Sequence, residues 1–328
     1  MKNNLNLLIC LISINWSCNN SNTSGDEVVI VEPKKNIYVP AFNADSAYLY
    51  VYKQVSFGPR IPGTDPHLQT GDYLVNKLKD YGAEITEQVF EANTFDRSRV
   101  ELRNIIGSFF PDKSKRILLA AHWDTRPFAD KDKERPNDPF DGANDGGSGV
   151  GVLLEIARVL SISSPPEVGI DIIFFDGEDW GSSSTAPERG LESWWCLGSQ
   201  YWSKNKHKRG YTAYYGILLD MVGARDSQFH IEGYSQKYAP KIVKKVWDQG
   251  NSLGYNQFFI YKEQSSITDD HQFVNELGKI PMINIVHYDP ELGYFGDYHH
   301  SHKDNMEIID KVTLKAVGST LLHVIYYE

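Results

Sequence analysis

Ionisable residues recur at the ends of apolar, strand-like runs, and this placement limits the possible fold more than any other feature of the chain. They are Ala121-His122-Trp123-Asp124, Gly142 to Gly149 with Asp145 near its centre, Asp176-Gly177-Glu178-Asp179, Leu219-Asp220, Asp269-Asp270-His271 and His299-His300-Ser301-His302. Burying so many groups is costly unless their charge is compensated. Mixed carboxylate and imidazole donors at such positions are what a zinc ion selects.

The runs themselves support a layered α/β architecture. Arg116 to Ala121, Gly169 to Phe175, Tyr215 to Leu219 and Ile280 to Val286 are continuously apolar, as central strands buried on both faces are. Ile85 to Phe90 and Arg99 to Ser108 alternate like strands, and helices are expected over Ala44 to Val55, Asp65 to Tyr81, Val150 to Leu160 and Asp310 to Tyr326. Strands alternating with helices predict a mostly parallel central sheet with helices on both faces. In such sheets the chemistry sits beyond the carboxyl ends of the strands, where His122, Glu178, Asp179 and Asp220 fall. Phe128 to Asp141 reads as a solvated charged loop, and Gly181 to Ser193 as a candidate lid.

The 328 residues carry a net charge of -10, which argues against a nucleic-acid partner. Residues 1–18 combine Lys2, an apolar stretch from Leu5 to Ile14 and then Trp16-Ser17-Cys18. That pattern fits an export signal ending in a lipidated Cys18; an ordinary secretory signal with an incidental cysteine is the alternative. Residues 19–36 follow as a tether rich in Asn, Ser and Thr, and residues 37–328 as one catalytic domain. The expected location is the periplasm, with the membrane reached only through the lipid anchor, and a monomer is expected. With Cys10 lost in the signal and Cys18 modified, Cys196 is the one thiol left for the domain, so no internal disulfide is expected.

At these motifs the chain resembles the zinc aminopeptidases with a parallel-sheet fold and their relatives the glutaminyl cyclases. The resemblance runs from about Phe42 to the C-terminus. It is nearest to the bacterial glutaminyl cyclases, because it extends into Trp123-Asp124-Thr125-Arg126-Pro127 and Trp195-Cys196-Leu197-Gly198-Ser199-Gln200. It implies an aminopeptidase-like single domain with zinc held by Asp145, Asp179 and His300, His302 being the runner-up in the last cluster. Asp145 would precede a strained peptide bond at Gly146. Many relatives have Glu where Asp179 stands, and mammalian-type cyclases have Trp where His299 stands. Glu178 would carry the proton, with Asp270 and Asp220 orienting substrate and base.

Blander readings exist for each motif: a Gly-rich helix cap at Gly142 to Gly149, an acidic turn at Glu178-Asp179, a His-rich surface turn at His299 to His302, and a helix N-cap at Asp269. His122 and Asp220 match the residues that hold a second zinc in dinuclear aminopeptidases, so they leave the metal count open. Trp180, Trp194, Trp195, Phe295 and His299 flank the metal motifs and are expected to wall an apolar substrate pocket. The activity so implied is conversion of the N-terminal glutamine of peptides or proteins to pyroglutamate, with one Zn2+ per chain. The rival readings are a dinuclear aminopeptidase with two Zn2+ and a silent peptide-binding lipoprotein, against which the presence of Glu178 argues.

Overall fold

The computed structural model describes residues 37–182 and 193–328; the expected signal, Cys18, the tether and most of the expected lid lie outside them. Helices α1 (Ala44–Val55) and α2 (Asp65–Asp80) precede an antiparallel pair, β1 (Glu84–Asn93) and β2 (Arg99–Phe109). The chain then runs β3 (Arg116–His122), α3 (Gly147–Ile162), β4 (Gly169–Phe175), α4 (Leu197–Lys204) and β5 (Tyr215–Asp220). It continues through β6 (Phe229–Ile231), α5 (Gly233–Tyr238), α6 (Pro240–Ser252), β7 (Phe259–Glu263), α7 (Asp270–Glu276), β8 (Met282–Val286) and α8 (Lys311–Tyr326).

The main sheet has the order β1-β2-β4-β3-β5-β8, and β6 pairs with β7 separately. Strands β4, β3, β5 and β8 are mutually parallel, whereas β2 runs antiparallel to both β4 and β1. The sheet is therefore mixed, with its parallel part confined to four strands. The short turn between β1 and β2 leaves no room for the crossover that parallel pairing needs.

Side chains alternate across this sheet, as the pleat requires. On β3, Ile117, Leu119 and Ala121 join the larger core with α1, α3, α6 and α8, while Leu118 and Ala120 face Trp202 of α4 and Val274 of α7. Both faces are thus covered, which is why the central strands read as continuous apolar runs. Residues Ile37–Glu328 form one unit. The parallel strands end together, at His122, Phe175, Asp220 and Val286, so the polar residues that follow them meet at one edge.

Candidate metal centre and catalytic cavity

Asp145, Asp179 and His300 converge at that edge from three separate stretches of chain. Nε2 of His300 lies 3.1 Å from Oδ1 of Asp179 and 3.8 Å from Oδ2 of Asp145. All three side chains are buried. Oδ1 of Asp179 is buried without a hydrogen-bond partner, and Asp145, His299 and His300 are grouped closely enough to share an ion. A buried, unpaired carboxylate oxygen facing an imidazole nitrogen and a second carboxylate is a donor set that suits zinc. Asp130 accepts from Nδ1 of His300 (3.0 Å), so the neutral ring presents its lone pair at Nε2. Burial alone would lower the His300 pKa, but the charges of Asp179 and Asp130 push it up to about 9; a cation at Nε2 would take the proton's place.

The loops that carry these donors are held by further buried acids. Asp304 accepts the backbone N–H groups of Asn144 (2.7 Å) and Asp145 (2.9 Å), and burial pushes its own carboxyl up to about 8. Arg60, fully buried, donates to the carbonyls of Asp141 (2.7 Å) and Gly142 (2.6 Å) on the same loop. The turn into α3 is made by Gly146 at φ +81°, where an added Cβ would meet the Asp124 carbonyl at 2.5 Å. Glycine tolerates this positive φ, and the described peptide bonds, including the one at Gly146, are all trans.

Glu178 and Asp179 follow β4 in a bend, and both line the cavity. Asp179 turns to His300, whereas Glu178 lies on the cavity wall with its Oε1 accepting from the Cys196 thiol (3.2 Å). Burial, with Asp269 and Asp179 adding their charge, pushes the Glu178 carboxyl well above its ordinary value. His122 Nε2 stands 3.1 Å from Asp145 Oδ1 and 3.3 Å from Asp220 Oδ1, and burial raises Asp220 to about 7.

The two acids at the start of α7 occupy different places. Asp269, not Asp270, lines the cavity. Asp269 also caps α7, accepting from the Asp270 N–H (2.6 Å) and from Asn284 (2.6 Å). Asp270 is fully buried behind it, and neither of its carboxylate oxygens has a hydrogen-bond partner among the described residues. The nearby Ser199 hydroxyl donates instead to the Cys196 carbonyl (3.2 Å). The helix start turns the second acid of the pair inward and leaves the first at the wall.

The cavity holds about 620 Å3. Its walls include Trp195, Phe295 and His299, together with Tyr294, Met221 and Ile267. Trp195 stacks on His300 with ring centres 6.1 Å apart, and Phe295 meets His299 edge-on at 4.6 Å. His299 stacks on His300 at 3.7 Å and accepts from Lys131 Nζ at 2.7 Å. Trp180 and Trp194 are not on the wall; Trp180 packs instead with Phe90, Val100 and Leu102 against the β1–β2 hairpin. His302 turns from the site as well, bonding Asp132 (2.8 Å) and the Pro139 carbonyl (3.1 Å).

Residues 104–325 match the Peptidase family M28. The chain belongs to that family. Over 89% of its length it superimposes on all of a glutaminyl cyclase from Bacteroides thetaiotaomicron bound to N-acetylhistamine, with 52% identity and a TM-score of 0.86. A Zn-dependent exopeptidase structure from Parabacteroides distasonis is similar to the same degree, at 51% identity, a TM-score of 0.86 and coverage of 89% of this chain and 100% of that one. The glutaminyl-peptide cyclotransferase of Drosophila melanogaster is 26% identical over 182 residues, 52% of this chain and 47% of that protein, so the chain spans about half the length of that relative.

In this M28 domain several site residues escaped the sequence reading. Phe128 to Asp141 is not merely a solvated loop, since it supplies Asp130 to His300 and Lys131 to His299. Arg126 is fully buried, donating to Asp130 Oδ2 (2.7 Å), to the Asp179 and Gly181 carbonyls (3.1 Å each) and, from its backbone, to Asp179 Oδ2 (3.1 Å). The segment from Arg126 to Asp130 is not helical, so its four-residue spacing carried no signal for this pair.

Proposed function

We propose that the protein is a zinc-dependent glutaminyl-peptide cyclotransferase acting on peptides or proteins with N-terminal glutamine. The observation that carries this reading is the likeness, at 52% identity over the whole of the other chain, to a solved glutaminyl cyclase. The site suits it chemically.

Zinc held by Asp145, Asp179 and His300 would supply a Lewis acid for the γ-carbonyl of the substrate amide. The remaining work falls to the chain's own residues. Trp195 and Phe295 would exclude water around the folded-back glutamine side chain, so that its α-amine lies against the amide carbon. The new bond joins the α-nitrogen to that carbon, and the bond to the amide nitrogen breaks. Glu178 would take a proton from the attacking amine and return it to the departing nitrogen, which leaves as ammonia. A carboxyl raised by burial is suited to taking and then giving a proton. Asp220 and Asp269 would hold Glu178 and the amine in register, with Asp270 supporting Asp269 from behind.

A second reading rests on the His122, Asp145 and Asp220 cluster, which is compact enough to share an ion. Two zinc ions and hydrolysis of N-terminal residues would then be expected. Mass spectrometry of a glutamine-initiated and a leucine-initiated peptide, with the zinc content of the protein, separates the two. Loss of ammonia from the first peptide alone, with one zinc per chain, supports the cyclase; release of free N-terminal residues supports the aminopeptidase. Export and lipid attachment at Cys18 belong to the same proposal and are tested by lipid labelling of the full chain and its Cys18→Ser variant.

A further inference from the structure

The cavity carries its charge unevenly. Of its acids, Asp145, Asp179, Asp220 and Asp269 are each 8% exposed or less and form the floor, and the half-buried Glu178 stands beside them. The outer wall from Gln264 to Thr268 is neutral, and Asp130 is engaged by Arg126 and His300. Among the described lining residues Lys131 is the only lysine or arginine, and it is exposed.

Lys131 is also held in place. Nζ donates to Nδ1 of His299 at 2.7 Å and lies over the Tyr294 ring at 4.4 Å from its centre. One ammonium donor is thereby used and two remain for a ligand. A cation fixed in advance loses little freedom when it pairs, and a charge-assisted bond to a carboxylate is stronger than one to a neutral amide.

We propose that Lys131 is a specificity-determining residue that favours substrates bearing a carboxylate on the residue after the N-terminal glutamine. The inference rests on the cyclase reading, which puts the glutamine amide on the floor and leaves the second residue at the mouth, within the field of this ammonium. The carboxylate has two sources, an Asp or Glu side chain or the free C-terminus of a dipeptide.

The test compares kcat/KM for C-terminally amidated peptides that begin Gln-Glu, Gln-Gln and Gln-Lys, and for Gln-Ala with a free and an amidated C-terminus. Each is measured with the zinc-loaded wild-type protein and with Lys131→Met, Lys131→Arg and Lys131→Glu. For a partly exposed pair the Gln-Glu over Gln-Gln ratio should be about threefold to tenfold in the wild type and should shrink as salt is raised. It should persist in Lys131→Arg, fall to about one in Lys131→Met and invert in Lys131→Glu. The same pattern confined to the two Gln-Ala peptides would assign the effect to the terminal carboxylate. Because each ratio is internal to one variant, a general loss of activity does not mimic the result. Equal ratios in the wild type, or a ratio unchanged in Lys131→Met, would overturn the role of Lys131 while leaving the cyclase intact. No turnover of any glutamine peptide would overturn both.

Discussion

Asp124, at the exit of β3, accepts the backbone N–H groups of both Glu178 (3.1 Å) and Asp179 (3.2 Å), and so fixes the pair of acids that leaves β4. Asp304 does the same for the loop carrying Asp145. The two loops that carry the carboxylate donors are therefore each set by a buried acid that does not itself face the cavity, and the geometry of the candidate centre depends on residues one layer out.

Asp124→Asn should test that dependence. The carboxamide keeps one acceptor oxygen but turns an NH2 group toward the second N–H, so the Glu178-Asp179 turn should relax. The proposed zinc affinity and kcat/KM should each drop by about 10- to 100-fold, with the fold retained. Competition with a calibrated chelator reads the first quantity, and an affinity equal to wild type would remove Asp124 from the support of the centre.

Glu178→Gln should separate proton transfer from metal binding. The side chain sits on the wall and its neighbour Asp179 faces His300, so zinc content should stay at the wild-type value. Turnover of a glutamine peptide should fall by about 100-fold to 10,000-fold, the range for loss of a general acid and base. Loss of zinc in this variant would refute the division of labour between the two acids.

How much of this was legible depended on whether a residue's role was local. The strands at Gly169–Phe175 and Tyr215–Asp220 were readable because burial on both faces leaves continuous apolar runs. That Asp145, Asp179 and His300 would lie together was expected only through the resemblance of their motifs to a known family, and the structure brings them within reach of one another. By contrast, which of Asp269 and Asp270 reaches the cavity was decided by the first turn of α7, and which tryptophan lines it by the path of the chain after Asp179. Helix α6 was missed although Pro240 opens it and Val243, Val246, Trp247 and Gly250 share its buried face, a spacing that signals a helix. Asp130 and Lys131 had no such signal, because a charged loop reads the same whether it folds onto a site or into water.

The histidine cluster gives a register test. His300→Ala should lose zinc, since its Nε2 is the nitrogen facing Asp179 and Asp145. His302→Ala should retain zinc and lose only the loop contacts to Asp132 and Pro139. Zinc analysis after gel filtration of both variants checks this, and the reverse pattern would show that the ligand register is shifted.

The Glu232–His271 pair should set a pH window for stability. Glu232 accepts from His271 Nε2 (2.7 Å) and from the N–H groups of Tyr234, Ser235 and Ile267 (2.8 to 2.9 Å), tying the cavity wall before α7 to α5. Burial opposes its charge, but His271 and the backbone donors lower its pKa from 4.5 to about 2. Its contribution is therefore full above about pH 4.5 and is lost as pH falls toward 2. Burial would lower His271, yet Glu232 raises it above 6.5, so that contribution is full below about pH 6.5 and is lost as pH rises through the raised value. Both are present together between about pH 4.5 and 6.5. Glu232→Gln should accordingly cost about 3 kcal/mol within that window, as expected for a broken buried pair, and less on the alkaline side. Urea unfolding at about pH 5.5 and about pH 9 reads the difference. A deficit that grows with pH would mean that the His271 proton is not what Glu232 holds in place.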